Sequence, residues 1–452
     1  MNRLRLAAVS TVFALLAFAA SAQERLELET FTTPAGHEVH YIALPDAPYS
    51  ELLFSWPNGA SVAVSGREGI HMLAPALLFE RAGERDLPQI REAMEDAGQG
   101  VIVANTFDAT NLVLTTQGET FEPAASIAAD AIERAALDPD DLSRLQRNIA
   151  DNLKASERDP QTVLLRAMGA FVAGGDQRLA ALTNRPTSTF EDVTSDDIRV
   201  WAEQVFTGTP QILAAGAADR EAIAAAVDAV LADRPDAGAS LPSPAAVTIE
   251  RAGQTLAVEL SDAPVALVSF VMEGPDRSWG RGAALQALVG GPEARLFRSL
   301  RSTLGATYGL QRSDIVLPTY RKLTTIGGTV APDMVSEVID TVHREIETLR
   351  RDGITQAEFD AYREGFRIQI DRTERDPDTL VGLMRDDLQT GRTLDLERDR
   401  RELEALTLEG INREITQVLP ERMTTIVALP DPSVVEADCM VTVPEDAAAC
   451  PK

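Results

Sequence analysis

Four histidines and two cysteines are the only imidazole and thiol side chains from which a transition-metal site could be built in this chain. The one histidine in a suggestive frame is His71, within Gly69-Ile70-His71-Met72-Leu73-Ala74-Pro75. A histidine followed by glutamate at i+3 and a second histidine at i+4 places two imidazoles on one helix face to hold zinc, with the carboxylate as general base. Here those two places are Ala74, which takes no proton from water, and Pro75, which offers a metal no lone pair. A lone histidine beside apolar residues is ordinarily a packed side chain, and that is the default reading of His71. His37-Glu38-Val39-His40 looks metal-like but reads as strand, where residues i and i+3 face opposite sides of the sheet. His343 lies on a polar helix, so no second zinc constellation can be assembled. Cys439 and Cys450 stand near the C-terminus in no reactive-thiol context. In an oxidising compartment they would close one small loop.

The elements that must position these residues come in two copies. Glu157-Arg158-Asp159-Pro160-Gln161-Thr162 recurs as Glu374-Arg375-Asp376-Pro377-Asp378-Thr379. The helix before each copy keeps one apolar stripe, Leu142, Leu145, Ile149 and Leu153 against Phe359, Tyr362, Phe366 and Ile370. Near the start of each half, Leu44-Pro45-Asp46-Ala47-Pro48 and Phe54 match Leu260-Ser261-Asp262-Ala263-Pro264 and Phe270. All these offsets agree to one residue, which argues for an internal duplication. The Ala/Pro/Ser-rich run 234–246 has the composition of a linker between an N-terminal domain over 23–233 and a C-terminal domain over 247–430, with a cysteine-bearing tail over 431–452.

Alternation predicts strands over Glu38–Leu44 and Leu52–Trp56 and a strand pair across Val101–Thr116. Helices are expected near Pro75–Arg81 and over Leu87–Ala97, with long helices thereafter. The class is therefore α+β, one mixed layer per half. Because proline inside a helix removes a hydrogen bond and clashes one turn back, the first helix is expected to restart with Pro75 in its first turn.

Residues 1–22 carry Arg3, Arg5, an apolar run from Leu6 to Ala20 and Ala20-Ser21-Ala22 before Gln23, the build of a secretory signal peptide cut after Ala22. A periplasmic or secreted chain is the expectation. No cysteine follows the cleavage point to carry a lipid, and no other stretch approaches the roughly 20 apolar residues of a membrane span. Loss of the leader moves the formal charge from −28 to −30 over about 430 residues. So acidic a surface repels phosphate backbones and favours basic peptides or basic partner surfaces.

The motifs resemble the pitrilysin/insulinase family. Gly69-Ile70-His71-Met72-Leu73, Leu77-Leu78-Phe79 and Gly83 follow its frame G-x-A-H-F-L-E-H-M-L-F-K-G, with the glutamate and second histidine replaced. Leu142 to Leu153, running on to Arg158-Asp159-Pro160, is similar to the helix that supplies the family's further zinc-binding glutamate. There the ligand position falls on Asn152 and a supporting glutamate on Leu145, while Asp151 points about 100° away around the helix. A neutral amide is a poor substitute for a carboxylate on a divalent cation. Arg295-Leu296-Phe297-Arg298-Ser299-Leu300-Arg301-Ser302-Thr303-Leu304-Gly305-Ala306-Thr307-Tyr308 resembles R-L-F-x-x-L-R-E-x-x-G-L-A-Y. That segment implies that Arg301 and Tyr308 hold substrate peptide, and both are donors able to grip a carbonyl oxygen. Gly290-Gly291 is only a short turn, so no long glycine-rich substrate loop is present. Asp108-Ala109-Thr110 echoes a family D-x-T without its usual Asn-Ala pair, on Ala104–Thr116, the expected exposed edge for pairing with peptide.

The resemblance covers most of 25–430. It implies two similar halves hinged as a clam and, with ligands lost and Arg/Tyr kept, a non-catalytic subunit that completes the peptide site of an active zinc-binding homologue in a heterodimer. Zinc is then expected only in that partner. The reading weighed against it is a stand-alone periplasmic peptide-binding or scaffold protein; a metalloprotease with a displaced site ranks last.

Overall fold

The computed structural model describes residues 26–57, 59, 69–106, 109–156, 159–174, 188–231, 249–260, 263–275, 277–304, 310–317, 321–392, 395 and 397–452. The signal-peptide stretch 1–22, the 234–246 linker, Asp108 and Tyr308 lie outside the described residues.

The N-terminal half contains β1 (Leu28–Thr32), β2 (Glu38–Ala43), β3 (Ser50–Trp56), α1 (Ile70–Leu78), β4 (Arg81–Ala82), β5 (Arg85–Asp86), α2 (Leu87–Ala97), β6 (Gln99–Asn105), β7 (Thr110–Thr116), α3 (Glu122–Glu133), α4 (Pro139–Ser156), α5 (Pro160–Val172), α6 (Ser188–Glu191), α7 (Ser195–Phe206), β8 (Gln211–Gly216) and α8 (Arg220–Leu231). The C-terminal half follows with β9 (Thr255–Glu259), β10 (Ala266–Pro275), α9 (Trp279–Val289), α10 (Arg295–Leu304), β11 (Gln311–Leu317), β12 (Arg321–Val330), α11 (Val335–Asp352), α12 (Gln356–Thr373), α13 (Pro377–Gln389), α14 (Arg398–Ala405), α15 (Leu408–Val418), β13 (Thr424–Leu429) and β14 (Cys439–Val441). Mixed sheets and helices are the α+β class expected.

The duplication appears directly in the strand order. One sheet runs β1-β2-β8-β3-β7-β6; the other, read from its tail end, runs β14-β9-β13-β10-β12-β11. In both, the second and third strands are parallel and every pairing beyond them is antiparallel. The outermost strand differs: β1 runs antiparallel to β2, whereas β14, from the C-terminal tail, runs parallel to β9. The tail is thus built into the second sheet, and a disulfide joins Cys439 to Cys450.

The repeated Asp-Pro-x-Thr is a helix start. Asp159 and Asp376 are N-caps whose carboxylates accept from the backbone N–H of Thr162 (2.9 Å) and Thr379 (3.2 Å), each with proline in the first turn. Each helix then crosses to the other half. In α5, Val163, Leu164, Ala167, Met168, Phe171 and Val172 pack against Leu256, Val258, Leu267, Val271, Ile426 and Ala428 of the C-terminal sheet. In α13, Leu380, Val381 and Met384 pack against Ile42, Leu44, Leu53, Leu213 and Ala215 of the N-terminal sheet. Each sheet therefore buries its outer face under its own half's helices and its inner face under a helix lent by the other half.

Candidate functional site

The first helix departs from expectation. Gly69 caps it without a side chain, the Gly69 carbonyl accepts from the N–H groups of Met72 (3.1 Å) and Leu73 (3.2 Å), and α1 runs unbroken through Pro75. It starts at Ile70 and does not restart at proline, because the cost of Pro75 is met elsewhere. Pro75 has no N–H to give the carbonyl of His71, one turn back. That carbonyl accepts instead from Asn105 Nδ2 at 2.6 Å, and Asn105 Oδ1 in turn accepts from the Thr110 hydroxyl at 2.6 Å. Asn105, at the end of β6, thus stands in for the missing backbone donor. Asn105→Ala is expected to cost about 1–3 kcal/mol by leaving a part-buried carbonyl unmet. The cost should shrink in a Pro75→Ala background, where the restored N–H serves His71. Denaturant unfolding of the four chains of this double-mutant cycle checks the coupling, and strict additivity would remove this account of how the helix tolerates proline.

On α1, Ile70, Leu73, Ala74, Leu77 and Leu78 face the N-terminal core, His71 is half-buried and Met72 is exposed. Ala74 has 0% exposure. The helix is held to α4 by Arg144, whose guanidinium reaches Glu80 at 2.5 Å and Asp141 at 3.1 Å, while Arg81 reaches Asp141 at 2.8 Å. On α4, Leu145 is a core contact and Asn152 is exposed. The set at the motif positions is therefore one imidazole, one methyl group, one pyrrolidine ring and one amide. It does not fit a zinc ion, which takes four donors drawn from thiolate, imidazole, carboxylate and water. Among the described residues, no three or more His, Cys, Asp or Glu side chains are grouped to hold a metal.

In the C-terminal half, the places matching Leu145 and Ile149 are Tyr362 and Phe366 of α12. They meet Trp279 of α9 edge to face, at centroid separations of 6.5 Å for Trp279–Tyr362 and 4.6 Å for Trp279–Phe366. Aromatic rings fill the corresponding place there.

Arg301 is exposed in α10, with its guanidinium carbon 5.6 Å from the ring centroid of Phe297. With Tyr308 outside the described residues, the structure speaks for Arg301 alone. The same segment contains a residue that sequence reasoning passed over. Arg295 grips both Glu358 carboxylate oxygens at 2.7 Å and the Gly353 carbonyl at 3.1 Å, tying α10 to the start of α12. Although burial opposes it, Arg295 together with Thr355 holds the Glu358 carboxyl down to about 2. Arg295 is therefore scaffold, whereas Arg301 is exposed on the same helix.

The expected peptide edge, Ala104–Thr116, needs correction. β7 lies between β3 and β6, so its backbone is paired on both sides, and the free edge is β6. The equivalent free edge in the other half is β11. Ile102 of β6 is 62% exposed and Val316 of β11 is 53% exposed. Beside β11, a groove of about 590 Å³ opens between α5 and the inner face of the C-terminal sheet, with Leu164, Met168, Ser313, Ile315, Thr325 and Gly327 among its walls. Among the described residues no carboxylate lines it, although the whole chain carries a net charge of −28.

Residues 192–366 match the family model described as the peptidase M16 inactive domain. Over that span the chain resembles the M16 peptidase family. The pitrilysin/insulinase resemblance read from its motifs is thereby borne out. Proteins of Mycobacterium tuberculosis and Mycobacterium bovis described as uncharacterized zinc proteases are 24% identical over 413 residues, spanning 86% of this chain and 90% of theirs. Among solved structures, the peptidase M16 inactive domain from Pseudomonas fluorescens superposes with a TM-score of 0.75 at 18% identity, covering 90% of this chain and 98% of that one. A protease from Helicobacter pylori gives 0.75 at 16% identity, covering 90% and 100%. The periplasmic protease PqqL from Escherichia coli gives 0.73 at 16%, covering 94% of this chain and 49% of its own. These likenesses establish the two-half fold. No helix among the described residues is long and apolar enough to cross a membrane.

Proposed function

We propose that this chain is an exported, zinc-less subunit that completes the peptide-binding site of an active zinc-binding homologue in a heterodimer. The observation that carries the reading is asymmetric loss. Ala74, Pro75 and Asn152 stand where the family's zinc chemistry needs a base and two ligands, while the Arg295–Tyr308 segment survives in the other half. A chain under no demand to bind peptide would have no reason to keep one set and lose the other. The free edges β6 and β11 suit an extended peptide, which adds a strand through backbone hydrogen bonds and leaves side-chain pockets to set preference. The carboxylate-free groove supports peptide holding too, and it serves equally a stand-alone periplasmic peptide-binding protein.

The purified chain should bind no stoichiometric zinc and cleave no peptide. Co-expressed with an active homologue, it should form a one-to-one complex. In that complex Arg301→Ala or Tyr308→Phe should lower turnover on the order of tenfold or more, as loss of a donor to a developing oxyanion does. Persistence as a monomer or homodimer beside the active homologue would favour the stand-alone reading, and wild-type turnover in both variants would reject the role given to Arg301 and Tyr308.

A further inference from the structure

The seam between the halves contains a buried carboxyl in acidic company. Glu51 lies in β3, opposite Thr115 of β7 and Ala215 of β8, and is 5% exposed. Residues 51, 53 and 55 share one face of the strand, and that face is covered by α13: Leu53 packs with Leu380 and Val381, and Ser55 meets Gln389 at 3.3 Å. The charged groups facing Glu51 from α13 are Asp376, Asp378 and Arg385; β7 and β8 present only Thr115 and Ala215 opposite it. At the head of its own strand, the Tyr49 hydroxyl donates to Asp376 Oδ1 at 2.7 Å.

Which carboxyl carries a proton follows from the hydrogen bonds. Asp376 accepts from the Thr379 hydroxyl, from Tyr49 and from the Thr379 N–H, and these donors hold it below the usual aspartate range. It stays ionised. Arg385, the one facing cation among the described residues, is shared with Asp386 at 3.0 Å. Among the described residues no such donor set surrounds Glu51, and burial first, then Asp378 and Asp376, push its carboxyl up to about 7.

We infer that Glu51 is a proton-operated latch between the two halves, neutral when α13 is seated on β3 and opposed by Asp376 and Asp378 when ionised, so that losing its proton loosens the crossing helix. The mirror seam lacks the device. In β10 the place of Glu51 is taken by Leu267, which packs against Leu164 and Met168 of α5. A glutamate whose folded pKa lies above its unfolded value binds its proton more tightly in the folded seam. The contribution is therefore fully present below the ordinary glutamate range and is lost as pH rises to about 7, with no further change above.

Hydrogen exchange followed by mass spectrometry on the full chain tests this, comparing 377–389 with 160–172 between pH 5.5 and 8.5 after correction for intrinsic exchange. In the wild type, protection of 377–389 should fall on the order of tenfold more than that of 160–172. In Glu51→Gln, whose amide mimics the protonated acid, the two helices should respond alike. Should that variant fail to fold, Asp378→Asn serves instead, and the fall in protection should shrink and move to lower pH, because removing a repelling charge lets Glu51 ionise more readily. Parallel pH profiles for the two helices in the wild type would overturn the inference, as would a pH response of 377–389 unchanged in Glu51→Gln or in Asp378→Asn.

Discussion

Phe171→Ala is expected to cost about 3–5 kcal/mol, and the damage should appear in the C-terminal sheet although the residue belongs by sequence to the N-terminal half. Phe171 has 0% exposure in α5, among Leu256, Val258, Leu267, Val271, Ile426 and Ala428. Truncation leaves a ring-sized void beneath a close-packed sheet, which relaxes only in part. Denaturant unfolding reads the size of the loss. Hydrogen exchange reads its place, with β9, β10 and β13 expected to lose protection before β3 and β8. The reciprocal variant, Met384→Ala in α13, should reverse that order, because Met384 packs on the N-terminal sheet. Damage confined to β3 and β8 after Phe171→Ala would refute the crossed packing.

Arg251→Ala should cost about 3 kcal/mol or more, since it strips the donor from several buried carbonyls at once. Arg251 is 7% exposed and holds a left-handed backbone, with φ of 58°. Its guanidinium donates to the carbonyls of Phe171 (2.6 Å), Ala448 (2.8 Å), Cys450 (2.7 Å) and Pro451 (3.3 Å), and lies 5.3 Å from the Phe171 ring centroid. One side chain thus pins the end of α5, the first residues of the second half and the disulfide-closed tail. Arg251→Lys keeps the charge but loses the planar fork, so it should recover only part of the loss. Wild-type stability in Arg251→Lys would show that the fork is not what holds the tail. Reduction of Cys439–Cys450 removes an entropic restraint worth about 2–3 kcal/mol for a loop this short. Reduction and Arg251→Ala should be less than additive, because both release Cys450.

Much of this architecture was legible in local pattern. The Asp-Pro-x-Thr copies are caps whose chemistry is complete within four residues, and Asp86, Pro88 and Gly98 bracket α2 for the same reason. The apolar stripes of α4 and α12 show which face each helix buries. The free edge was missed because β6 and β7 alternate alike, Val101 and Val103 in one and Leu112 and Leu114 in the other facing the same core. Alternation says which side of a strand is covered and nothing of what lies beside it. Pro75 does remove a hydrogen bond, yet the helix runs through it where a restart is expected from local pattern. The remedy, the amide of Asn105, sits 34 residues from His71 and carries no local signal.

By itself, the sequence determined the duplication, the element types, the paired cysteines as a possible staple and the absence of zinc ligands at 74, 75 and 152, because each depends on residue identity and short-range periodicity. Only the tertiary structure decided that each half lends a helix to the other, that Arg251 gathers the tail, and that Glu51 stands buried before Asp376 and Asp378. An amphipathic helix must bury its apolar face, but any apolar sheet satisfies it equally; which sheet it meets is settled by the path of the whole chain.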